Sequence, residues 1–269
     1  MVTKHEIQKL IPLASRKNAG EDSVIQIKNL AIGKSPIIIA GPCAVESEKQ
    51  MECIASFLHD HSVPILRGGA FKPRTSPYSF QGLQEEGLKI LKKVSNKYNL
   101  ITVSEAVDES SLELVANYCD IIQIGTRNMF NYQLLKKLGG YSNPILLKRG
   151  MSATIEEFLT AAEYIMASGN KNVVLCERGI RTFETYTRNT MDLNAVAAIR
   201  ELTHLPIIVD PSHGTGRKSL VLPLSKAAIA VGGQGIMVEV HNNPSEALSD
   251  GAQSLDLSSF KNLLLELKT

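Results

Sequence analysis

The chain has 269 residues, a formal net charge of +2, 21% charged residues and no block of like charge. That balance excludes a basic tail for nucleic acid or for a membrane surface, and no apolar run approaches the roughly 20 residues needed to cross a bilayer. Four cysteines (Cys43, Cys53, Cys119 and Cys176) are scattered without CxxC spacing, and the start MVTKHEIQKLIP lacks a secretory apolar region. Reduced thiols and a cytoplasmic location are therefore expected.

Residues 1–35 form an N-terminal extension, in which VIQIKNLAIG predicts two short strands joined around Lys28 and Asn29. The expectation is a hairpin closing the amino-terminal mouth of the downstream fold, and about 35 residues are too few for an independent regulatory domain. From 36 to 269 short apolar runs alternate with stretches of helical period. The runs are PIIIAGPC, VPILRGG, NLITVSEA, DIIQIGTRN, NPILLKRG, NVVLCERG, LPIIVDPSH and GIMVEVHN. Each is nearly continuous in Ile, Val and Leu and bounded by Gly, Pro or Asn, which predicts a strand buried on both faces. LQEEGLKILKKVSNKY and TIEEFLTAAEYIMASG carry the helical period between them. Eight such units predict an α/β fold, a closed (β/α)8 TIM barrel, whose functional site is built at the carboxyl ends of the strands.

Those ends carry Cys43, Arg67, Glu105, Arg127, Lys148, Arg178, His213 and Glu239. Arg67, Lys72, Arg74, Arg127, Lys148 and Arg178 all lie at or just beyond strand ends. A single Arg there reads as a surface ion pair, but six cations facing one mouth repel each other unless anions bind, so phosphorylated or carboxylated substrates are expected. In RGGAFKPRTSPYSFQG, prolines stiffen a long loop presenting Lys72, Arg74, Thr75 and Ser76, a set of donors suited to phosphate.

Cys43, His213, Glu239 and Asp250 come from the first, seventh and eighth units, neighbours in a closed barrel. Thiolate, imidazole and carboxylates together suit Mn, Fe, Co or Zn rather than Mg or Ca. Each also has a plain alternative: Cys43 a small buried hydrophobe, His213 a strand-end hydrogen bonder, Asp250 a turn cap. His241 and His204 are rival ligands, the latter in a turn on the far side of its strand. Cys53 and Cys119 read as packing residues, and Cys176 as a residue close to the mouth or in the barrel wall.

At GPCAVES, RGGAFKPRTSPYSFQGL, IGTRNMFN, LLKRG, CERGIRTFE, VDPSHGTG and VEVH, in that order, the chain resembles 3-deoxy-D-arabino-heptulosonate 7-phosphate synthases. The similarity is to their compact branch, which shares ancestry with 3-deoxy-D-manno-octulosonate 8-phosphate synthases, and spans residues 24 to 265. The resemblance implies condensation of phosphoenolpyruvate with erythrose 4-phosphate and water, releasing phosphate, in a metal-dependent homo-oligomer, tetramer or dimer. It implies Cys43, His213, Glu239 and Asp250 as ligands of one divalent transition metal. Arg127, Lys148 and Arg178 match residues holding phosphoenolpyruvate, with Arg67 and Lys72 near its carboxylate and reacting carbon. Arg74 and Thr75 match the erythrose phosphate site, Asp210 a contact to the erythrose hydroxyls, and Glu105 a residue positioning water. Lys72, Asp210 and His213 are the expected catalytic residues, Lys72 as proton donor to the developing alkoxide. The octulosonate branch, which takes arabinose 5-phosphate, typically reads KANRS or KANRT where this chain reads KPRT, and the difference favours the four-carbon aldose. Regulatory domains of relatives have no counterpart here, so insensitivity to Phe, Tyr and Trp is expected. A barrel serving only as a scaffold, and an aldolase with Lys148 as Schiff base, are the competing classes.

Overall fold

A computed structural model describes residues 3–17, 21–74 and 76–267. In chain order the elements are α1 (Lys4–Leu10), β1 (Ile25–Ile27), β2 (Leu30–Ile32), β3 (Ile37–Gly41), α2 (Glu48–Asp60), β4 (Ile65–Arg67), α3 (Gln84–Tyr98), β5 (Ile101–Ala106) and α4 (Glu109–Tyr118). They continue with β6 (Ile121–Ile124), α5 (Tyr132–Lys137), β7 (Ile145–Lys148), α6 (Ile155–Ala167), β8 (Val173–Glu177) and α7 (Leu193–Leu202). The last are β9 (Ile207–Val209), α8 (Pro211–Thr215), α9 (Lys218–Ala230), β10 (Gly235–Glu239) and α10 (Leu257–Glu266).

Every apolar run of the sequence contains one strand, and the eight strands β3 to β10 pair in parallel in the order β10-β3-β4-β5-β6-β7-β8-β9, closed into a barrel. The fold is the expected (β/α)8 barrel. Side chains along a strand alternate between faces, so each strand contributes to two cores. Val209, Leu147, Leu175 and Val238 point outward to meet the helices. Ile39, Ile65, Val103, Ile121, Leu146, Cys176, Ile208 and Met237 point inward and fill the barrel.

The predicted hairpin is present: β1 pairs antiparallel with β2 through Ile25↔Ile32 and Ile27↔Leu30, and the chain turns at Lys28 with φ 50°. Ile25, Ile27 and Ile32 bury themselves against the inward residues Ile37, Ile39 and Ile101, closing the amino-terminal mouth. Apolar closure at that end leaves the carboxyl end as the open one.

Helix boundaries reflect local chemistry. Thr154 and Glu157 form a reciprocal capping box at the start of α6, and Ser47 accepts from Gln50 N–H at the start of α2. Helix α6 buries Phe158, Leu159, Ala162, Ile165 and Met166, the stripe that its period predicts.

The sequence pattern does not reveal α1, too short to carry a periodic signal, or α8, one turn in which Asp210 accepts from His213 N–H. The packing role expected of Cys53 is also wrong, since it is exposed on α2, whereas Cys119 and Cys176 are buried. His204 does lie on the far side of the barrel: its ring meets Ser23 Oγ and Leu13 O, both at 2.7 Å, and so ties down the N-terminal segment. No helix among the described residues is long and apolar enough to cross a membrane.

Glu163 on α6 is the second anchor of that segment. Its buried carboxylate accepts from Leu13 N–H at 3.0 Å and Ala14 N–H at 2.8 Å. Replacing it leaves the buried Ala14 amide and the part-buried Leu13 amide without their acceptor, so Glu163→Ala should cost about 1–3 kcal/mol in denaturant unfolding. Hydrogen exchange at Leu13 and Ala14 should accelerate more than at the barrel strands; unchanged protection there would refute the anchor.

Candidate active site

The two-residue period that fills the barrel also builds its mouth. On seven of the eight strands the next inward position beyond the apolar residue is polar: Ile65 is succeeded by Arg67, Val103 by Glu105, Ile121 by Gln123, Leu146 by Lys148, Cys176 by Arg178, Ile208 by Asp210 and Met237 by Glu239, while on β3 Ile39 is succeeded by Gly41. The outward neighbour Arg149, by contrast, leaves the site and pairs with Glu177 at 2.8 Å and Asp192 at 2.9 Å between strand and helix.

A cavity of about 290 Å³ opens over this ring. Lys72, Arg74, Arg127, Lys148, Arg178, Glu105 and His213 line it, together with Arg188 and Asp250. Five of the six expected cations thus face one space, and Arg67 lies just beneath, buried and 3.3 Å from Glu239. Arg67 Nη1, Arg74 Nη2 and Arg178 Nε are buried with no acceptor. Buried polar groups are nearly always paired, so donors left open beside a cavity are donors for a ligand. Burial pushes the Arg178 guanidinium below its ordinary value; the Asp210 charge offsets this only in part, and Arg188 adds a smaller repulsion. A bound anion relieves both effects.

On one side of the mouth Cys43, Glu239 and Asp250 bring ligand atoms within 4.8 Å of one another. Cys43 Sγ is 3.3 Å from Asp250 Oδ2, and His213 Nε2 is 3.4 Å from Glu239 Oε1 and 3.8 Å from Asp250 Oδ2. All four predicted ligands therefore converge. Glu239 Oε1 is buried and makes no hydrogen bond, its nearest cation being Arg67 Nη2 at 3.3 Å, so it keeps lone-pair capacity for a metal ion. His213 is oriented by Asp210, whose Oδ2 lies 2.7 Å from Nδ1, so a ring protonated at Nδ1 directs its Nε2 lone pair to the cluster. Burial outweighs the nearby carboxylates and lowers the His213 value, which favours the neutral ligand form. Burial first, and the Glu239 charge second, push the Cys43 thiol up to about 12. A divalent ion reverses that balance, because coordination deprotonates a thiol. The donor set fits a first-row transition ion.

Asp210 sits apart from the expected role. It is fully buried, does not line the cavity, and has both oxygens engaged: Oδ1 by His213 N–H, Oδ2 by Lys148 Nζ at 2.6 Å and by the His213 ring. In this arrangement it holds Lys148 and His213 in place rather than reaching a sugar hydroxyl. Lys72 turns inward, donating to Cys43 O at 2.9 Å and Sγ at 3.0 Å. In the KPRT loop Arg74 Nε donates to Phe80 O at 3.0 Å, while Thr75 lies outside the described residues. His241, the other rival ligand, stays out of the cluster: its Nε2 lies 3.0 Å from Gln50 Nε2 and 3.3 Å from Glu46 Oε2.

Arg188 and Gln253 carry no signal in the sequence. Neither sits at a strand exit, and their chains reach the mouth only through long loops after β8 and β10. Gly125, inside IGTRN, also has a role that only packing reveals: a Cβ there meets Glu105 Oε1 at 2.0 Å.

A (β/α)8 barrel whose carboxyl mouth joins guanidinium nitrogens without acceptors to a thiol, imidazole and carboxylate cluster has the form of an enzyme site, with donors for anions beside a set of side chains that a transition ion would fit. Residues 18–269 match the model of the DAHP synthetase I family, and the chain belongs to that family. It is 57% identical over 257 residues to a phospho-2-dehydro-3-deoxyheptonate aldolase of Thermotoga maritima, covering 95% of this chain and 76% of that protein. A 2-dehydro-3-deoxyphosphooctonate aldolase of Syntrophotalea carbinolica is 34% identical, covering 87% of this chain and 91% of its own. The crystal structure of the Thermotoga enzyme, a DAHP synthase, superposes with a TM-score of 0.93 at 57% identity, over 95% of this chain and 75% of that one. A truncated form of the 3-deoxy-D-arabino-heptulosonate 7-phosphate synthase from Thermotoga maritima matches at 0.91 and 54% identity, over 96% of both chains.

The geometry makes two of these roles measurable. Gly125 has an ordinary φ of −71°, so Gly125→Ala should fold normally yet displace Glu105 and cut turnover roughly ten- to a hundredfold; full activity would show that Glu105 needs no fixed position. Burial raises the Asp210, Glu239 and Asp250 carboxyls, but neighbouring cations together outweigh it and hold all three below their ordinary values, Asp250 at about 2 with Arg188 the strongest of its cations. Folded values below unfolded ones mean that this stability is fully present above about pH 4 and lost as pH falls toward about 2. Denaturant midpoints measured across that window should drop for the metal-free chain, and less steeply for Asp210→Asn.

Proposed function

We propose that this protein condenses phosphoenolpyruvate with erythrose 4-phosphate and water to give 3-deoxy-D-arabino-heptulosonate 7-phosphate and phosphate, the first step of the shikimate pathway, as a metal-dependent transferase. The observation that carries this assignment is the set of buried, acceptor-free guanidinium atoms on Arg67, Arg74 and Arg178 at the same mouth as the four-residue ligand cluster. Two phosphorylated substrates supply the acceptors. The high identity to the Thermotoga heptulosonate enzyme, against the lower identity to the octulosonate enzyme, favours the four-carbon aldose, as does Lys72-Pro73-Arg74 in the mouth loop.

Arg127, Lys148 and Arg178 bind the phosphate and carboxylate of phosphoenolpyruvate and present one face of its double bond to the aldehyde, which turns a bimolecular encounter into an oriented one. Arg74 and Thr75 hold the erythrose phosphate. The methylene carbon bonds to the aldehyde carbon, water adds to the carbon bearing phosphate, and the hemiketal phosphate that results expels phosphate. Lys72, beside Cys43, protonates the alkoxide that forms from the aldehyde oxygen, and Glu105 positions the water. Asp210 keeps Lys148 and the His213 tautomer in register with these groups. Bound at Cys43, His213, Glu239 and Asp250, one divalent Mn, Fe, Co or Zn ion supplies Lewis-acid polarisation. Lys148, tied to Asp210 at 2.6 Å, acts here as a fixed charge rather than a Schiff-base nucleophile. We further take residues 1–35 as the extension and 36–269 as the catalytic barrel of a cytoplasmic homo-oligomer, tetramer or dimer, as family resemblance implies.

Phosphate release from phosphoenolpyruvate should occur with erythrose 4-phosphate and be far slower with arabinose 5-phosphate. Chelator and Cys43→Ala should each abolish it, and Lys72→Met should lose turnover while phosphoenolpyruvate still binds. Preference for the five-carbon aldose, or full activity in chelator, would overturn the assignment.

A further inference from the structure

The loop between β8 and α7 begins at Arg178 in the cavity and returns past the ligand cluster at Arg188 and Asn189. Its backbone is anchored to α8, Arg188 N–H donating to Thr215 O at 2.9 Å and Asn189 N–H to Gly214 O at 3.2 Å. Asn189 Nδ2 donates to His213 O at 2.8 Å. Arg188 Nη1 reaches two acceptors, Gln253 Oε1 at 2.9 Å and Asp250 Oδ1 at 3.3 Å. Gln253, buried, passes the connection on by donating from Nε2 to Glu239 Oε2 at 2.6 Å.

The amide can stand only one way round. Reversed, its oxygen faces the Glu239 carboxylate and its NH₂ faces a guanidinium, acceptor against acceptor and donor against donor. As placed, the chain Arg188 to Gln253 to Glu239 alternates donor and acceptor throughout. Its consequence for the cluster is specific. Asp250 has its outer oxygen held by Arg188 while Oδ2 faces Cys43 and His213; Glu239 has its outer oxygen held by Gln253 while Oε1, without a hydrogen bond, faces His213 Nε2 and Arg67 Nη2. Asp250 is further constrained by a left-handed backbone at φ 54°, with its carbonyl accepting from Gln253 N–H at 3.2 Å.

We propose that Arg188 and Gln253 are a positioning pair for the metal, locking the outer oxygens of Asp250 and Glu239 so that the inner oxygens are pre-aimed at the ion. Because Arg188 also lines the substrate cavity, the same loop links the metal to the anion site. The inference rests on the metal reading above. Carboxylates fixed before the ion arrives lose less freedom on binding, and partners of this kind typically contribute about ten- to a hundredfold in affinity.

Cadmium titration of the full chain, monitored by the ultraviolet thiolate-to-metal absorption, tests the pair without recourse to turnover. Gln253→Leu and Arg188→Lys both conserve net charge, so any change reports orientation rather than attraction. Each should weaken cadmium about ten- to a hundredfold while keeping the thiolate band, a loss larger than any lowering of the metal-free melting temperature accounts for. The double variant should lose more than either single variant but less than their sum, because each side chain holds its own carboxylate while the two are also bonded to each other. Wild-type affinity in both single variants, or losses that track a lowered metal-free melting temperature, would overturn the pairing. A wild-type chain without a band that Cys43→Ser removes sinks the metal reading itself, and the pairing with it.

Discussion

A closed parallel barrel admits only one side-chain period, and the site hangs on it. Each strand must place alternate residues in the interior, and the interior of an eight-stranded barrel has room for a few packed layers. Below, Ile39, Ile65, Val103, Ile121, Leu146, Cys176, Ile208 and Met237 occupy those layers, and the hairpin residues Ile25, Ile27 and Ile32 seal the lower end. One step further along the same inward rows stand Arg67, Glu105, Gln123, Lys148, Arg178, Asp210 and Glu239. A one-residue slip in a strand that carries one of these charges exchanges it with an outward apolar side chain, placing a charge in the helix layer and disrupting both cores at once.

Charges gathered this way are costly to bury unless they are paired. Asp210 answers for Lys148, and Glu239 for Arg67. Those internal pairs leave Arg67 Nη1, Arg74 Nη2 and Arg178 Nε without acceptors, and Glu239 Oε1 with an ion-pair contact to Arg67 but no hydrogen bond. The interior therefore has two unfilled demands of opposite sign next to each other, one for anions and one for a cation. Substrates rich in phosphate beside a divalent ion satisfy both. Charge balance and binding specificity are the same arrangement seen from two sides.

The short helix α8 shows how local structure serves this geometry. Asp210 is at once the cap of α8, the partner of Lys148 and the orienter of the His213 ring. One carboxylate thus sets a backbone turn, a lysine position and a histidine tautomer, and its complete burial keeps it off the cavity surface.

Strand positions, barrel closure and most of the mouth were legible from the chain alone, because a run of Ile and Val ending in a charged residue has one physical use in an α/β protein. Cys43, His213, Glu239 and Asp250 could be grouped since barrel closure makes the first and last strands neighbours. What no linear pattern carried were contacts made by loops: Arg188 and Gln253 beside the ligands, Gly125 making room for Glu105, Glu163 receiving the N-terminal amides. The exposure of Cys53 and the engagement of both Asp210 oxygens were likewise decided by packing. Periodicity is a property of regular elements and so can be read along the chain; the partner of a loop residue depends on distances between segments far apart in sequence, which exist only once the barrel has closed.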